Sequence, residues 1–220
     1  MQIVLQSIPL REVLHFLGWR GTPVESALVD ELKALCRQVC KIVQPRVRIQ
    51  RFAIGEGGRL EGCAFAPEGE EIRSMLAPCH EAVLLAATLG AQSERLLLRE
   101  QSRGSAQAVL MDAVLSAAIE AVCDQAEESL REEARRSGLY LTDRFSPGYG
   151  DMPLAQCREI CEVLSASRLI GLTVSQSGIM IPRKSVTAVM GLSKAPVARR
   201  PSGCEGCAMR KTCALSRTGD

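Results

Sequence analysis

The sequence predicts an α+β protein in which a twisted, mainly antiparallel sheet is flanked by helices. Short apolar segments typical of strands lie at 47–54, 82–90 and 169–191. Helical patterns separate them, without the regular β-α alternation of a doubly wound parallel sheet. Hydrophobic residues make up 46 % of the 220 residues and charged residues 24 %, which is enough for a buried core.

The first helix is predicted between Thr22 and Pro45. Thr22 can cap it, Pro23 suits its first turn, and Glu25 completes a capping-box spacing with Thr22. Pro45 ends the helix. Apolar residues recur at helical spacing at Leu28, Leu32, Leu35 and Val39.

Two strands are predicted in the following segment. Residues 47–54 alternate apolar and polar side chains, as a half-buried strand does, and a glycine-rich turn follows at 55–58. Residues 82–90 are continuously apolar, which fits either a buried strand or a buried helix. We favour the strand because Gly90 and a polar cap at Ser93 follow at once.

The longest helix is predicted over 106–136, with an apolar first half, a charged second half and Gly138 as its C-cap. Asp112 and Glu120 interrupt the apolar half. We expect each of them to lie at a rim or to pair with an arginine.

A second helix is predicted after residues 144–151, with Asp151 near its cap and Pro153 in its first turn. Its inner stripe is formed by Cys157, Ile160, Cys161 and Leu164. Short strands joined by turns are then predicted at 169–174, 177–182 and 185–191.

Composition excludes several classes of function. The net charge of +2 gives no preference for nucleic acid or for a membrane surface, and 3 % aromatic residues are too few for a base-stacking platform. No apolar run approaches the roughly 20 residues of a membrane span. The N-terminus shows no basic leader or cleavage site, so the sequence predicts a mature cytoplasmic protein.

Eight of the ten cysteines fall into two groups. Without a secretion signal we expect most of the thiols to be reduced. Five of them lie in helix-like segments and are predicted to be small core residues: Cys36, Cys40, Cys123, Cys157 and Cys161.

The sequence predicts a domain over 1–192 and a linker with a Cys-rich tail over 193–220. The tail spacing C-x2-C-x5-C lets Cys204, Cys207 and Cys213 converge on zinc or an iron–sulfur cluster, with a fourth ligand from elsewhere. The alternative is an unmetallated, reducible tail.

The segment RFSPGYGDMP, residues 144–153, has the composition of a ligand-binding loop. Arg144 offers a planar cation for a carboxylate, and Tyr149 lies between two glycines that can bring the backbone close to a ligand. A small zwitterion suits this set. The alternative is a rigid structural loop in which Arg144 pairs with Asp143 or Asp151 and Tyr149 fills a gap.

This segment resembles the R-x-x-x-G-Y-x-x-x-P signature of the activation domain of vitamin B12-dependent methionine synthase. The stretch IGLTVSQSGIMIPRKSVTAVMG, residues 170–191, is similar to the second block of that family. HFLGWRG at 15–21 and LAATLG at 85–90 resemble its short, stand-alone members. The resemblance covers about residues 10–192.

The resemblance implies a function in the reductive reactivation of cobalamin-dependent methionine synthase. Such a domain binds S-adenosylmethionine and presents its methyl group to the cobalamin of a partner chain, so that methylation of cob(I)alamin draws the reduction of cob(II)alamin forward. The protein is then one component of a methyltransferase system. A flavodoxin-like electron donor is also implied.

The resemblance further implies the ligand-binding residues. Arg144 corresponds to the arginine that binds the ligand carboxylate, and Gly148 and Tyr149 to the G-Y pair. The family's acidic residue before the arginine falls near Gly138, so Asp143 or Asp151 is the substitute partner for the ligand's amino group. The complete predicted set is Arg144, Ser146, Pro147, Gly148, Tyr149, Gly150, Asp151, Ser185 and Val186.

Two other functions stay open at this stage. An iron–sulfur tail could deliver the electron in place of flavodoxin, and the protein could then be a redox activator of another corrinoid methyltransferase. A docking module that has lost ligand binding is the third hypothesis.

Overall fold

A computed structural model describes residues 3–19 and 23–197 of the chain. Its helices are α1 (Leu10–Phe16), α2 (Ser26–Ile42), α3 (Glu70–Leu76), α4 (Ala91–Arg103), α5 (Ser105–Arg136), α6 (Gln156–Val163) and α7 (Ala166–Ile170). Its strands are β1 (Arg46–Ala53), β2 (Glu81–Thr88), β3 (Tyr140–Leu141), β4 (Thr173–Val174), β5 (Met180–Ile181) and β6 (Ser185–Ser193).

Four strands form one antiparallel sheet in the order β1-β2-β6-β3, and β4 pairs with β5 in a separate hairpin. This confirms the predicted α+β class and the mainly antiparallel sheet. The strands predicted at 47–54 and 82–90 are confirmed as β1 and β2. Strand β6 lies between β2 and β3, so the strand that comes last in the sequence is inside the sheet.

Both faces of the sheet are covered, and β2 shows this most clearly. Val83, Leu85 and Ala87 belong to a core shared with α1, α2, α4 and α5. Ala82, Leu84 and Ala86 belong to a second core shared with α3, α6 and α7. Because successive side chains of a strand point to opposite faces, a strand covered on both sides has no polar positions. This explains its continuously apolar sequence.

Helix α5 confirms the longest predicted helix. It ends at Arg136 with Ser137 as its C-cap, one residue before the predicted cap Gly138, which terminates the helix with a φ of +70° and an N–H bond to the Arg135 carbonyl. By length and composition α5 could cross a membrane, which corrects the prediction that no segment reaches this limit. More than half of its most apolar window is buried against the sheet and neighbouring helices, as in a core helix of a globular domain.

Two helix starts differ from the prediction. Helix α2 begins at Ser26 with Glu25 at the N-cap and no side-chain cap, while Thr22 lies outside the described residues. Helix α6 begins at Gln156 instead of following Asp151 and Pro153 directly. The reason is that residues 146–152 form turns of their own, with N–H bonds from Tyr149 to Ser146 and from Met152 to Tyr149. The predicted inner stripe of α6 is confirmed, since all four of its side chains are buried.

The strands predicted after α6 are partly correct. Leu169 and Ile170 belong to α7, so only Thr173–Val174 of the first predicted strand is extended. Of the second predicted strand, 177–182, only Met180–Ile181 is a strand. The third, predicted at 185–191, continues to Ser193. Gly171, with a φ of +71°, ends α7 and redirects the chain into β4.

Candidate functional site

One face of α5 carries a row of polar side chains at helical spacing. Its members are Asp112, Ser116, Glu120, Asp124 and Glu127. Residues four apart on a helix lie on the same face, so these groups form one stripe along the helix. We call these five residues the acidic stripe. It contacts cations from two segments that flank β6.

Arg144 binds three carboxylates of the acidic stripe. Its Nη2 lies 2.7 Å from Asp124 Oδ1 and 3.3 Å from Glu120 Oε2, and its Nε lies 3.3 Å from Glu127 Oε2. Its side chain is 17 % exposed. The predicted pairing of Glu120 with an arginine is confirmed, whereas the alternative that pairs Arg144 with Asp143 or Asp151 is wrong.

A second arginine, Arg131, completes this cluster from inside the protein. It donates to the Leu141 carbonyl at 2.6 Å, to Glu127 Oε1 at 2.5 Å and to Asp143 Oδ1 at 3.2 Å. Glu127 is therefore shared between two guanidinium groups. Asp143 faces Arg131, so its predicted role as a substitute partner for a ligand's amino group stays a prediction.

Burial and the neighbouring charges both shift the pKa values of this cluster. Burial raises the pKa of Glu120, an effect that Arg144 opposes and Asp124 reinforces. For Arg144, burial acts to lower the pKa, but its acidic neighbours outweigh it and leave the pKa above its usual value. Burial also raises the pKa of the adjacent Cys123 thiol to about 12, so this cysteine is a neutral core residue, as predicted.

The cluster keeps unused capacity for a charged ligand. Four carboxylates face two arginines, which leaves an excess of negative charge. Glu120 is 43 % exposed and Asp124 69 % exposed, so both are open to solvent. Arg144 Nη1 is buried without a hydrogen-bond partner among the described residues. One buried donor and two accessible carboxylates therefore lie side by side.

Lys184 contacts the other end of the acidic stripe. Its Nζ lies 2.8 Å from Asp112 Oδ1 and 2.8 Å from Ser116 Oγ. Asp112 was predicted to lie at a rim or to pair with an arginine; its side chain is half-exposed, as at a rim, and its partner is this lysine. The neighbouring Arg183 pairs with Glu94 of α4 at 3.1 Å. Through these ion pairs, Lys184 and Arg183 attach the turn before β6 to helices α5 and α4.

Ser185 and Val186 are the first two residues of β6 and directly follow Lys184. Ser185 is buried, and its Oγ lies 2.8 Å from Thr88 Oγ1 and 2.7 Å from the Pro182 carbonyl. Val186 packs on the α5 side of the sheet. Among the described residues, the edge of β6 facing away from β2 is unpaired from Ser185 until Phe145 bridges to Val189. An open strand edge therefore lies beside the acidic stripe.

The loop after Arg144 presents its tyrosine to solvent. Tyr149 is 70 % exposed, so the alternative in which it fills a gap is wrong. Ser146 and Pro147 precede it, and Pro147 is buried. Gly148 and Gly150 have φ values of +91° and +53°, and a Cβ at Gly150 would lie within 3 Å of the carboxylate of Glu71. A side chain at the second position would push the Glu71 carboxylate aside, and the positive φ there favours glycine.

Asp151 caps α3 and not the helix that follows it. Its carboxylate accepts hydrogen bonds from the backbone N–H groups of Glu70 at 2.5 Å and Glu71 at 3.2 Å. These bonds lower its pKa. The predicted place of Asp151 near the cap of α6 is wrong because the loop turns back toward α3. Because its carboxylate is bound to the start of α3, Asp151 is a structural anchor of the Tyr149 loop.

This anchor predicts a pH dependence. Because the pKa of Asp151 is lowered by folding, its stabilisation is present above the unfolded pKa of about 4 and is lost as the pH falls through the folded pKa. We expect Asp151→Asn to melt at a lower temperature than wild type at pH 7, and the difference to shrink below about pH 4. Thermal unfolding followed by circular dichroism at several pH values measures it; a difference that grows in acid would contradict it.

The Arg144 site is an open surface. Three grooves of about 620, 500 and 420 Å³ lie on the described part of the chain, and neither Arg144 nor Tyr149 lines any of them. The first lies between α3 and Thr142, the second beside Cys63, and the third between α6, α7 and β4. A ligand at Arg144 would therefore lie along the protein surface.

The predicted metal ligands cannot be placed. Cys204, Cys207 and Cys213 lie outside the described residues, so the zinc or iron–sulfur site stays a prediction, as does the boundary at 192/193. Within residues 3–19 and 23–197 no three His, Cys, Asp or Glu side chains are grouped as metal ligands. The seven cysteines there are free, and Cys40 is half-buried where a core position was predicted.

The fold and the surface cluster define the class of the protein: an α+β domain with a four-stranded antiparallel sheet between two helical layers and a charged site beside its long helix. The structure is similar to the crystal structure of the MetH reactivation domain bound to AdoHcy, with a TM-score of 0.59. The sequences are 16 % identical over 87 % of this chain and 77 % of the other. No family model and no curated protein matches the sequence.

Proposed function

We propose that this protein reactivates cobalamin-dependent methionine synthase by binding S-adenosylmethionine and presenting it to a partner chain that carries cobalamin. The observation that carries the proposal is the similarity in fold to a MetH reactivation domain bound to AdoHcy. The R-x-x-x-G-Y motif at Arg144 and Tyr149 supports it independently, because it was identified from the sequence.

The charge of the cluster fits this ligand. S-adenosylmethionine carries an ammonium and a sulfonium cation and one carboxylate, so it has a net positive charge at neutral pH. The accessible carboxylates of Glu120 and Asp124 suit its cations, and the Arg144 guanidinium would bind its carboxylate once the partnerless, buried Nη1 turns toward solvent. Tyr149 offers an exposed ring against which a flat group can stack.

In this proposal the residues of the chain bind and orient S-adenosylmethionine, and they transfer no proton. When bound, S-adenosylmethionine supplies a methyl group to cob(I)alamin held by the partner. Paired carboxylates keep Arg144 in one orientation, and the Asp151 contacts to α3 keep the Tyr149 loop in place. A positioned ligand needs less ordering at the moment of transfer. We further propose a cytoplasmic location and a tail in which Cys204, Cys207 and Cys213 hold zinc or an iron–sulfur cluster. An iron–sulfur cluster there would deliver the electron that reduces cob(II)alamin, whereas zinc would be structural.

Isothermal titration calorimetry with S-adenosylmethionine tests the proposal. We expect saturable binding to the wild type, weakened at least about 10-fold in Arg144→Gln, because a hydrogen bond between charged groups contributes about 1.5–3 kcal/mol. Asp124→Asn should weaken binding about 3-fold or more through loss of an accessible charge. Arg135→Gln, which removes an exposed arginine of the same helix, is the matched control and should bind as the wild type does.

Two outcomes would count against the function. No binding to the wild type at millimolar S-adenosylmethionine would favour a redox or docking protein for another corrinoid enzyme. Equal affinity of the wild type and Arg144→Gln would remove Arg144 from the site. Circular dichroism of each variant shows whether a loss of binding is a loss of folding.

A further inference from the structure

A groove of about 420 Å³ lies on the opposite side of the sheet from the acidic stripe, between α6, α7 and β4. Ser165 forms the turn between the two helices with a φ of +49°, the one positive φ among the non-glycine residues that the structure describes. This turn angles α7 away from α6. Gly171 then returns the chain to β4, and the three elements enclose the groove.

Two arginines line this groove without an acidic partner. Arg158 projects from α6 and is half-buried, with its Nη2 bound to the Ser175 carbonyl at 2.5 Å. Arg168 projects from α7 and is exposed. Neither forms an ion pair with a carboxylate of residues 3–19 or 23–197, in contrast to Arg144 and Arg131. The groove therefore offers the charge of both guanidinium groups, with Arg168 and the N–H groups of Arg158 other than Nη2 left to donate to a ligand.

The remaining lining divides into hydroxyl groups and an apolar part. Ser165, Ser167 and Thr173 bring side-chain hydroxyls to the groove. Leu172 is fully buried, and Val174 is partly buried beside it. Glu162 also lines the groove, and it forms no ion pair with Arg158 or Arg168 in the described part of the chain. The surface combines several donors with a hydrophobic strip.

We propose that this groove binds a small phosphorylated ligand with an apolar portion. Two guanidinium groups and three hydroxyls offer more donors than the two oxygens of a carboxylate use, and they match the oxygens of a phosphate monoester. The apolar portion lies on the partly exposed Val174, with the buried Leu172 packed beneath it. The site lies on a different face from Arg144 and binds the opposite charge, so it is independent of the S-adenosylmethionine proposal.

Two-dimensional ¹H–¹⁵N NMR of the full chain tests the site with phenyl phosphate as the probe and sodium chloride holding the ionic strength constant. We expect saturable shifts of the backbone amides of 165–174. Phenyl phosphate should bind at least about 5-fold tighter than inorganic phosphate, because its ring covers apolar surface. It should also bind tighter than benzoate, which has the same ring and a carboxylate.

Substitution of the two arginines then tests whether their charges bind the phosphate group. Arg168→Ala should weaken phenyl phosphate binding about 10-fold, and a variant that also carries Arg158→Gln should abolish it, as the loss of charge-assisted hydrogen bonds predicts. Arg95→Ala, an exposed and unpaired arginine of α4, is the control and should leave binding unchanged. Absent shifts at 165–174, a tighter complex with benzoate, or equal losses in the Arg95 control would each overturn the proposal.

Discussion

Replacement of Arg131 by methionine is expected to lower the free energy of unfolding by about 3–5 kcal/mol, the usual cost of removing one partner from a buried ion pair. The Arg131 side chain is 11 % exposed and satisfies Glu127, Asp143 and the Leu141 carbonyl together. Methionine fills most of the volume but donates no hydrogen bond. Three acceptors would lose their donor in a region from which water is largely excluded.

Arg135→Met is the matched control for this prediction. Arg135 lies one helical turn further along α5 and pairs with Glu128 at 2.8 Å, but both side chains are more than half exposed. Exposed pairs contribute about 0–1 kcal/mol, so this variant should unfold close to the wild type. Urea denaturation measures the free energy of unfolding of both variants. Equal stabilities of the two variants would show that Arg131 is not the centre of a buried network.

Leu84→Ala and Leu85→Ala are each expected to lower the free energy of unfolding by about 2–5 kcal/mol. The two residues are neighbours in β2 and both are fully buried, yet their side chains enter different cores. In a sheet with one solvated face, one of the two substitutions would have little effect. A large loss from both therefore tests the double-sided packing directly.

Leu98→Ala in α4 is the control for these core variants. Leu98 is 59 % exposed, so its truncation should change stability by less than about 0.5 kcal/mol. A near-zero effect at either leucine would mean that its face of the sheet is not packed as the structure describes.

The elements with a strong local pattern were predictable from the sequence. The alternation of 47–54 and the glycine at 138 are local signals, and the structure places β1 and the end of α5 where they indicate. The start of α6 was not predictable, because Asp151 has the chemistry of a cap but serves α3, about 80 residues earlier in the chain. A cap residue in the sequence does not say which helix it caps.

The candidate site was predictable only in part, for a related reason. Glycines around Tyr149 indicated an exposed tyrosine, and this is what the loop shows. The partners of Arg144 were sought among nearby acids, but they lie on α5, about 20 residues away. The spacing of Asp112, Glu120 and Asp124, in multiples of four residues, was the available signal. Arg131 carried no signal, since its charged neighbours in the sequence made it look solvated.

The position of β6 inside the sheet constrains how the chain is made on the ribosome. Strand β2 is complete by residue 88, but one of its two edges has no partner until Ser185–Ser193 emerges. For about a hundred residues of synthesis, the nascent chain carries an unpaired hydrophobic strand and the apolar side of its longest helix. Such surfaces attract other chains. Chaperone occupancy on stalled nascent chains should therefore persist until β6 has left the exit tunnel, and then fall in a single step.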